Sequence, residues 1–253
     1  MKNIHRNTYA LTVMMVMILV FFAKSSSGNV RTTAQQQTDK QAQMQRYLEA
    51  RRTFAMVDSN EPEPSDPAKR AVAREKQKRR NTVNAVMTIP NPQVTEMVLL
   101  GEGGEELSAL PVKKSDVIIV GNVVSAEAHM SGNKMNVVSE FSIHVEKVYK
   151  PSESIALVPG SSIMVERFGG IVRYPSGQTI LYRFAGTSMP KISGRYLFFL
   201  TSISQSNDYE ILTGYELGET VSPLDASYQF EALRGLETSE LLKRLDDLLV
   251  PAK

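Results

Sequence analysis

The sequence predicts a mainly β protein: a small antiparallel barrel or sandwich, preceded by an apolar N-terminal helix and a helical stalk, and followed by an amphipathic C-terminal helix. Three observations predict it. Short β-branched and aromatic runs separated by Gly, Pro and Asn turns fill residues 111–225. One apolar run lies near the N-terminus behind a positive flank. Leucines at helical spacing mark residues 226–253.

Lys2, His5 and Arg6 precede the apolar run Tyr9–Ala23, which ends at Lys24 and Ser25-Ser26-Ser27-Gly28. A positive flank before an apolar stretch is the form of an export signal and holds the N-terminus on the cytoplasmic side. The run is fifteen residues long, short of the ~20 that span a bilayer comfortably. Snorkelling of Lys24 extends its reach. Residues 1–30 are therefore expected to be an uncleaved signal anchor, with a cleaved signal peptide as the alternative. The membrane is the first expected partner, through residues 9–23. The chain is placed outside the cytoplasm, membrane-anchored or, after cleavage, secreted or periplasmic.

Residues 31–110 read as a helical, Pro-containing and polybasic linker. Met44, Tyr47, Leu48, Arg51 and Ala55 make a partial helical stripe, predicting a helix from about Gln36 to Val57. Pro62, Pro64 and Pro67 prevent its continuation. Lys69, Arg70, Arg74, Lys76, Lys78, Arg79 and Arg80 then place seven cations in twelve residues. Such a run either contacts a polyanion or forms a solvated face. Residues 81–110 read as irregular connection with one short strand, Gln93–Leu100. The Gly101-x-Gly103-Gly104 stretch lacks a following Lys-Ser/Thr and carries Glu102, Glu105 and Glu106, which would repel a phosphate.

Residues 111–225 hold the β domain. Val117–Val124 is a β-branched strand, and Gly121 within it marks a bulge or sharp bend. His129 falls in an expected loop. From Asn136 to Val148, Ser139, Phe141, Ile143 and Val145 share one parity and Glu140, Ser142, His144 and Glu146 the other. That is a half-buried strand. Ser162–Phe168 is the next strand, bent at Gly169-Gly170. Ile171–Tyr174 and Gln178–Phe184 flank the turn Pro175-Ser176-Gly177. Tyr196–Leu200 is the most apolar strand, and Tyr209–Thr213 follows a polar turn. In the tail, Leu241, Leu242, Leu245, Leu248 and Leu249 form one helical face, with Thr238 or Ser239 as its cap.

Composition removes several chemistries. The net charge is +2, but residues 31–80 carry twelve Lys/Arg against seven Asp/Glu, while residues 111–225 carry ten against eleven. The β domain is close to neutral. Without cysteine there is no thiol nucleophile, no Cys-ligated zinc and no lipoprotein anchor. His144 and Glu146 share a strand face, but no further histidine completes a metal site. No Gly-x-Ser-x-Gly elbow occurs. No catalytic residue, metal or cofactor is assigned.

Ser115-Asp116-Val117-Ile118-Ile119-Val120-Gly121-x-Val123, Phe141-x-Ile143-x-Val145-x-x-Val148-x-Lys150 and Gly194-Arg195-Tyr196-Leu197-x-Phe199-Leu200 resemble the strand pattern of netrin-like domains. Those are OB-fold barrels of the metalloproteinase-inhibitor type, with comparable segments in uncharacterised exported bacterial proteins. The resemblance covers residues 112–224 and implies an OB-like barrel. The inhibitors act through an N-terminal cysteine that this chain lacks, so inhibition does not carry over.

Arg173, Tyr174, Tyr182, Arg183 and Arg195 interleave charge and aromatic rings, as a strand-binding groove needs. Export and a near-neutral domain argue against nucleic acid. The expected function is a non-enzymatic module binding a protein or envelope polymer. The alternatives are a hydrolase using Glu140 and Glu146, and a polyanion binder using the 69–80 cations.

Overall fold

Alternating apolar positions and the pairing of distant segments together decide which stretches become strands. The computed structural model describes residues 53–81, 86–91, 94–99, 107–152, 156–203 and 206–250. The expected anchor at 9–23, most of the Gln36–Val57 helix and the Gly101–Gly104 stretch lie outside the described residues. In chain order the elements are β1 (Met56–Asp58), α1 (Pro67–Arg79), β2 (Val86–Asn91), β3 (Val94–Leu99), β4 (Val117–Met130), β5 (Val137–Lys150) and β6 (Ser162–Phe168). They continue with β7 (Gly170–Arg173), β8 (Thr179–Phe184), β9 (Arg195–Ser202), β10 (Tyr209–Leu217), β11 (Val221–Pro223), α2 (Tyr228–Glu231) and α3 (Thr238–Leu249). The protein is mainly β. No helix among the described residues is long and apolar enough to cross a membrane.

The larger sheet has the order β11-β10-β6-β5-β4-β9, and β10 pairs with β9 as well. Its pairs are antiparallel except β10 with β6, which is parallel. Val117, Ile118, Ile119 and Val120 are all buried. A strand covered on both faces reads as a continuous apolar run. Ile118 and Val120 pack with Leu197, Phe199, Tyr215, Phe230 and the α3 residues Leu241 and Leu245. The leucine face of α3 is therefore core, while Leu248 stays exposed. The β4–β5 register shifts between Val120 and Gly121, the expected irregularity. A Cβ at Gly121 would lie 2.6 Å from Ile143 Cγ2 and 2.7 Å from the His144 carbonyl oxygen, so the close approach of the two strands requires glycine.

The smaller sheet, β1-β7-β8-β3-β2, contains parallel pairs of β1 with β7 and β3 with β8. The two sheets together correct four expectations. Residues 53–99 are not a linker, because they supply β1, α1, β2 and β3 to the same unit as the β domain, Glu49–Lys253. The predicted helix does not reach Val57: Ile171 N–H donates to Ala55 C=O at 2.9 Å and Ser59 N–H to Arg173 C=O at 2.9 Å, and this pairing overrides local helix propensity. Val86–Asn91 is a strand despite Pro90, since β2 is the edge of its sheet, where a missing donor is tolerated. His129 lies on β4 and not in a loop, because the β4–β5 ladder continues to Met130 opposite Val137.

The turn Pro175-Ser176-Gly177 joins β7 and β8 as expected. The cap of α3 differs from expectation. Glu237 occupies the cap position without a side-chain bond, and the Thr238 hydroxyl donates instead to Gly218 C=O at 2.7 Å.

Candidate functional site

The polybasic run folds because Asp66 starts it. Its Oδ1 accepts from the N–H groups of Ala68 and Lys69 at 2.8 and 3.1 Å, and Pro67 enters the first turn. Within α1 no side chain is buried and no apolar face exists. Charge and polar contacts hold it instead. Lys76 Nζ lies 2.9 Å from Glu140 Oε1 and 2.9 Å from Asp208 Oδ2. Arg79 reaches Glu166 at 2.5 Å. Arg80 donates to Glu140 and, at 2.7 Å, to Glu166. The Arg80 side chain is 4% exposed, against 12% and 7% for Glu140 and Glu166. Gly132 N–H donates to Gln77 C=O, and Asn136 Nδ2 to Arg80 C=O. The end of the helix is thus tied to the β4–β5 turn.

Burial opposes ionisation of Glu140, but Lys76 and Arg80 outweigh it and hold the carboxyl below the usual range. Burial likewise opposes the Lys76 and Arg80 charges. Hydrogen bonds to Asp208 and Glu140 raise Lys76 nonetheless, and those to Glu166 raise Arg80. Lys76, Arg79 and Arg80 thus face Glu140, Glu166 and Asp208, three basic side chains against three acidic ones. The chemistry of this cluster is that of a clamp.

Beside the clamp a groove of about 460 Å³ is lined by Met56–Asp58, Asn60–Pro62 and Ala126–His129. Buried Val57 and Ala128 pack in one cluster and make its floor. Exposed Met56, Glu61 and Glu127 stand at its rim. Asp58 is bound by Arg173, whose Nε and Nη2 donate at 2.6 and 2.8 Å. Glu61 and Glu127 leave the groove acidic. His129 Nε2 is buried, 3.7 Å from Glu140 Oε2 and 3.9 Å from Glu127 Oε2, without a hydrogen-bond partner. The groove and the clamp therefore meet at Glu140.

The sequence-predicted residues are distributed as follows. Arg173, Tyr174 and Tyr182 come together on β7 and β8, with the two phenol oxygens 3.4 Å apart. Tyr182 is in the core, and burial pushes its phenol well above the usual value. Arg183 takes the opposite parity on β8, and Arg195 lies in the other sheet, donating to Glu146 at 2.7 Å. These five do not form one continuous surface. Of the basic run, Lys76, Arg79 and Arg80 face the protein, and Arg70 and Arg74 pair with Glu63. Lys69 and Lys78 are exposed.

Glu140 does not sit on a solvated face as read from the sequence, because α1 covers it. Burial also opposes ionisation of Glu146, but Arg195 and Asn122 lower its carboxyl. Neither carboxylate has the raised pKa of a general acid. Among the described residues, no group of three or more His, Asp or Glu is placed to hold a metal. Glu166 and Asp208 went unread in the sequence. Their signal was charge complementarity to basic residues 86 to 132 positions away, which local periodicity does not carry.

No family model, no curated protein and no solved structure matches the chain.

Proposed function

We propose that this protein is an extracytoplasmic binding module, tethered to a membrane through residues 9–23, which recognises a segment of another protein on an OB-like barrel and performs no catalysis. The barrel reading is supported by a circuit of pairings: β4 to β5, β5 to β6, β6 to β10, β10 to β9, and β9 back to β4. In OB-folds the second and third strands, with the loops after the first and fourth, form the ligand face. The corresponding surface here, β5 and β6 with the loop before Tyr209, carries α1 and its ion pairs. The groove beside it is the open surface.

The observation that carries the reading is that groove: buried Val57 and Ala128 within a mostly polar lining whose exposed carboxylates are Glu61 and Glu127. Polar groups that converge in a concave surface can fix the orientation of a partner. A protein segment suits it better than an anionic envelope polymer, which Glu61 and Glu127 would repel.

Two measurements test the proposal. Protease added to intact cells is expected to cut the full-length, membrane-bound chain from outside; a protected, cytoplasmic chain would overturn the location. The full chain, immobilised in detergent, is expected to retain protein from an envelope extract, and to lose this on Glu61→Lys with Glu127→Lys. Retention unchanged by both reversals would remove the groove from the reading, and absence of any retention would overturn it.

A further inference from the structure

α1 lies on the face of β5 and β6 opposite the core, where Glu140 and Glu166 alternate with the core residues Phe141 and Val165. No side chain of Pro67–Arg79 is buried, and Val72 is 55% exposed. The ties that hold the helix are polar. Lys76 meets Glu140, Arg79 meets Glu166, and Arg80 meets both. At the β9–β10 loop Lys76 meets Asp208. At the β4–β5 turn Gly132 N–H donates to Gln77 C=O at 3.1 Å, and Asn133 N–H to Asn81 Oδ1 at 2.9 Å.

The lead-in to the helix is bound to the helix itself. Arg70 donates to Pro64 C=O and Ser65 C=O at 3.0 and 2.9 Å, and Arg74 to Glu63 at 3.0 and 2.7 Å. Residues 63–81 therefore make one piece between β1 and β2. An element seated by packing gives up apolar burial when it leaves. One seated by buried ion pairs exchanges them for hydration at nearly equal free energy. Segments with few buried apolar contacts are the ones that open locally. The position of α1 gives such an opening a consequence. β5, β6, the β4–β5 turn and the β9–β10 loop, all touched by this piece, are together the ligand face of the barrel reading. That face is closed while α1 is seated.

We propose that residues 63–81 form a charge-held strap, which closes this face at low ionic strength and lifts from it as a unit as ionic strength rises, baring Glu140, Glu166 and Asp208. The meaning of the face rests on the barrel reading; the lifting rests on α1 alone. Salt favours the lifted state, because separated, solvated charges are screened and close, buried pairs are screened much less. The groove is a separate surface, since residues 63–81 contribute nothing to its lining.

Amide hydrogen exchange on the full chain in detergent tests the strap. At about 0.05 M NaCl, the amides of Ala71–Arg80, corrected for intrinsic rates, are expected to exchange at least about tenfold faster than those of Phe141–Val145 on β5. At about 0.5 M, exchange in α1 should rise about tenfold and that in β5 less than about twofold. Lys76→Gln leaves Arg80 on Glu140 and Arg79 near Asp208, so the fold is kept, and it should speed α1 by about tenfold at low salt. A zero-length carbodiimide reads the seated state without any substitution: Lys76 Nζ, 2.9 Å from both Glu140 and Asp208, should couple to them at low salt and less at high salt. If α1 and β5 exchanged at one rate and moved together with salt, α1 would open only when the whole unit unfolds, and the strap would be overturned. Unprotected α1 amides at low salt, with no Lys76 coupling, would overturn it from the other side. Neither reading depends on whether the chain retains envelope protein, so the strap and the binding module fail separately.

Discussion

Replacing Arg80 with Met should destabilise the protein more than any other single change in the basic run Lys69–Arg80. Arg80 is 4% exposed and joins Glu140 to Glu166, themselves 12% and 7% exposed. Removing one member of a buried ion cluster costs about 3–5 kcal/mol, mostly because its partners stay buried with uncompensated charge. Glu166 would keep Arg79, and Glu140 would keep Lys76, so the lower end applies, about 3 kcal/mol. For a unit of this size that lowers Tm by about 6–12 °C. Thermal and urea unfolding of the full chain, followed by circular dichroism, measure it. Adding Glu166→Gln to Arg80→Met should restore part of the loss, since the surplus negative charge left among Glu140, Glu166 and Asp208 is then gone. A loss below about 1 kcal/mol, or strict additivity in the double variant, would refute the reasoning and show that water reaches the cluster.

Three further outcomes are expected. Because the folded pKa of Glu140 is depressed below its ordinary 4.5, its contribution is fully present above that value and is lost as pH falls through the folded pKa; urea midpoints should decline below pH 4.5, and Glu140→Gln should flatten that limb. Gly121→Ala drives a methyl into Ile143 and the His144 carbonyl and should cost about 1–3 kcal/mol by urea unfolding. The buried Tyr215 hydroxyl donates to Ala109 C=O at 2.6 Å, so Tyr215→Phe should cost about 1 kcal/mol, read as a shift in midpoint without a change in m-value.

How much was legible in the sequence depended on how local the signal was. Ser162–Phe168 appeared complete, and the alternation around Phe141, Ile143 and Val145 placed the core face of β5, because period-2 burial is written in consecutive residues. Gly121 announced its irregularity by the absence of a side chain. β1 was invisible, since what makes Met56–Asp58 a strand is Ile171–Arg173. The basic run was legible as a charged segment but not as a clamp: a charge run signals solvent until an opposing set of acids is placed over it, and Glu140, Glu166 and Asp208 converge only in three dimensions. Of the groove, Glu61, Glu127 and His129 carried no local pattern. The Arg173/Tyr182 surface was over-read, because Tyr182 is a core residue that happens to alternate with arginines.

The parallel pairing of β1 with β7 also sets an order of events during synthesis. Asp58 and its partner Arg173 are 115 residues apart, and Arg80 and Glu166 are 86 apart. At translation rates of about 5–20 residues per second, the early segments wait roughly 6–23 s and 4–17 s for their partners. A helix with an apolar stripe would be exposed to aggregation through that interval. α1 has none, and its cations keep it hydrated and mutually repelled until the acids of β5 and β6 emerge. A docking surface made of charge is suited to a segment synthesised well before the strands it seats on.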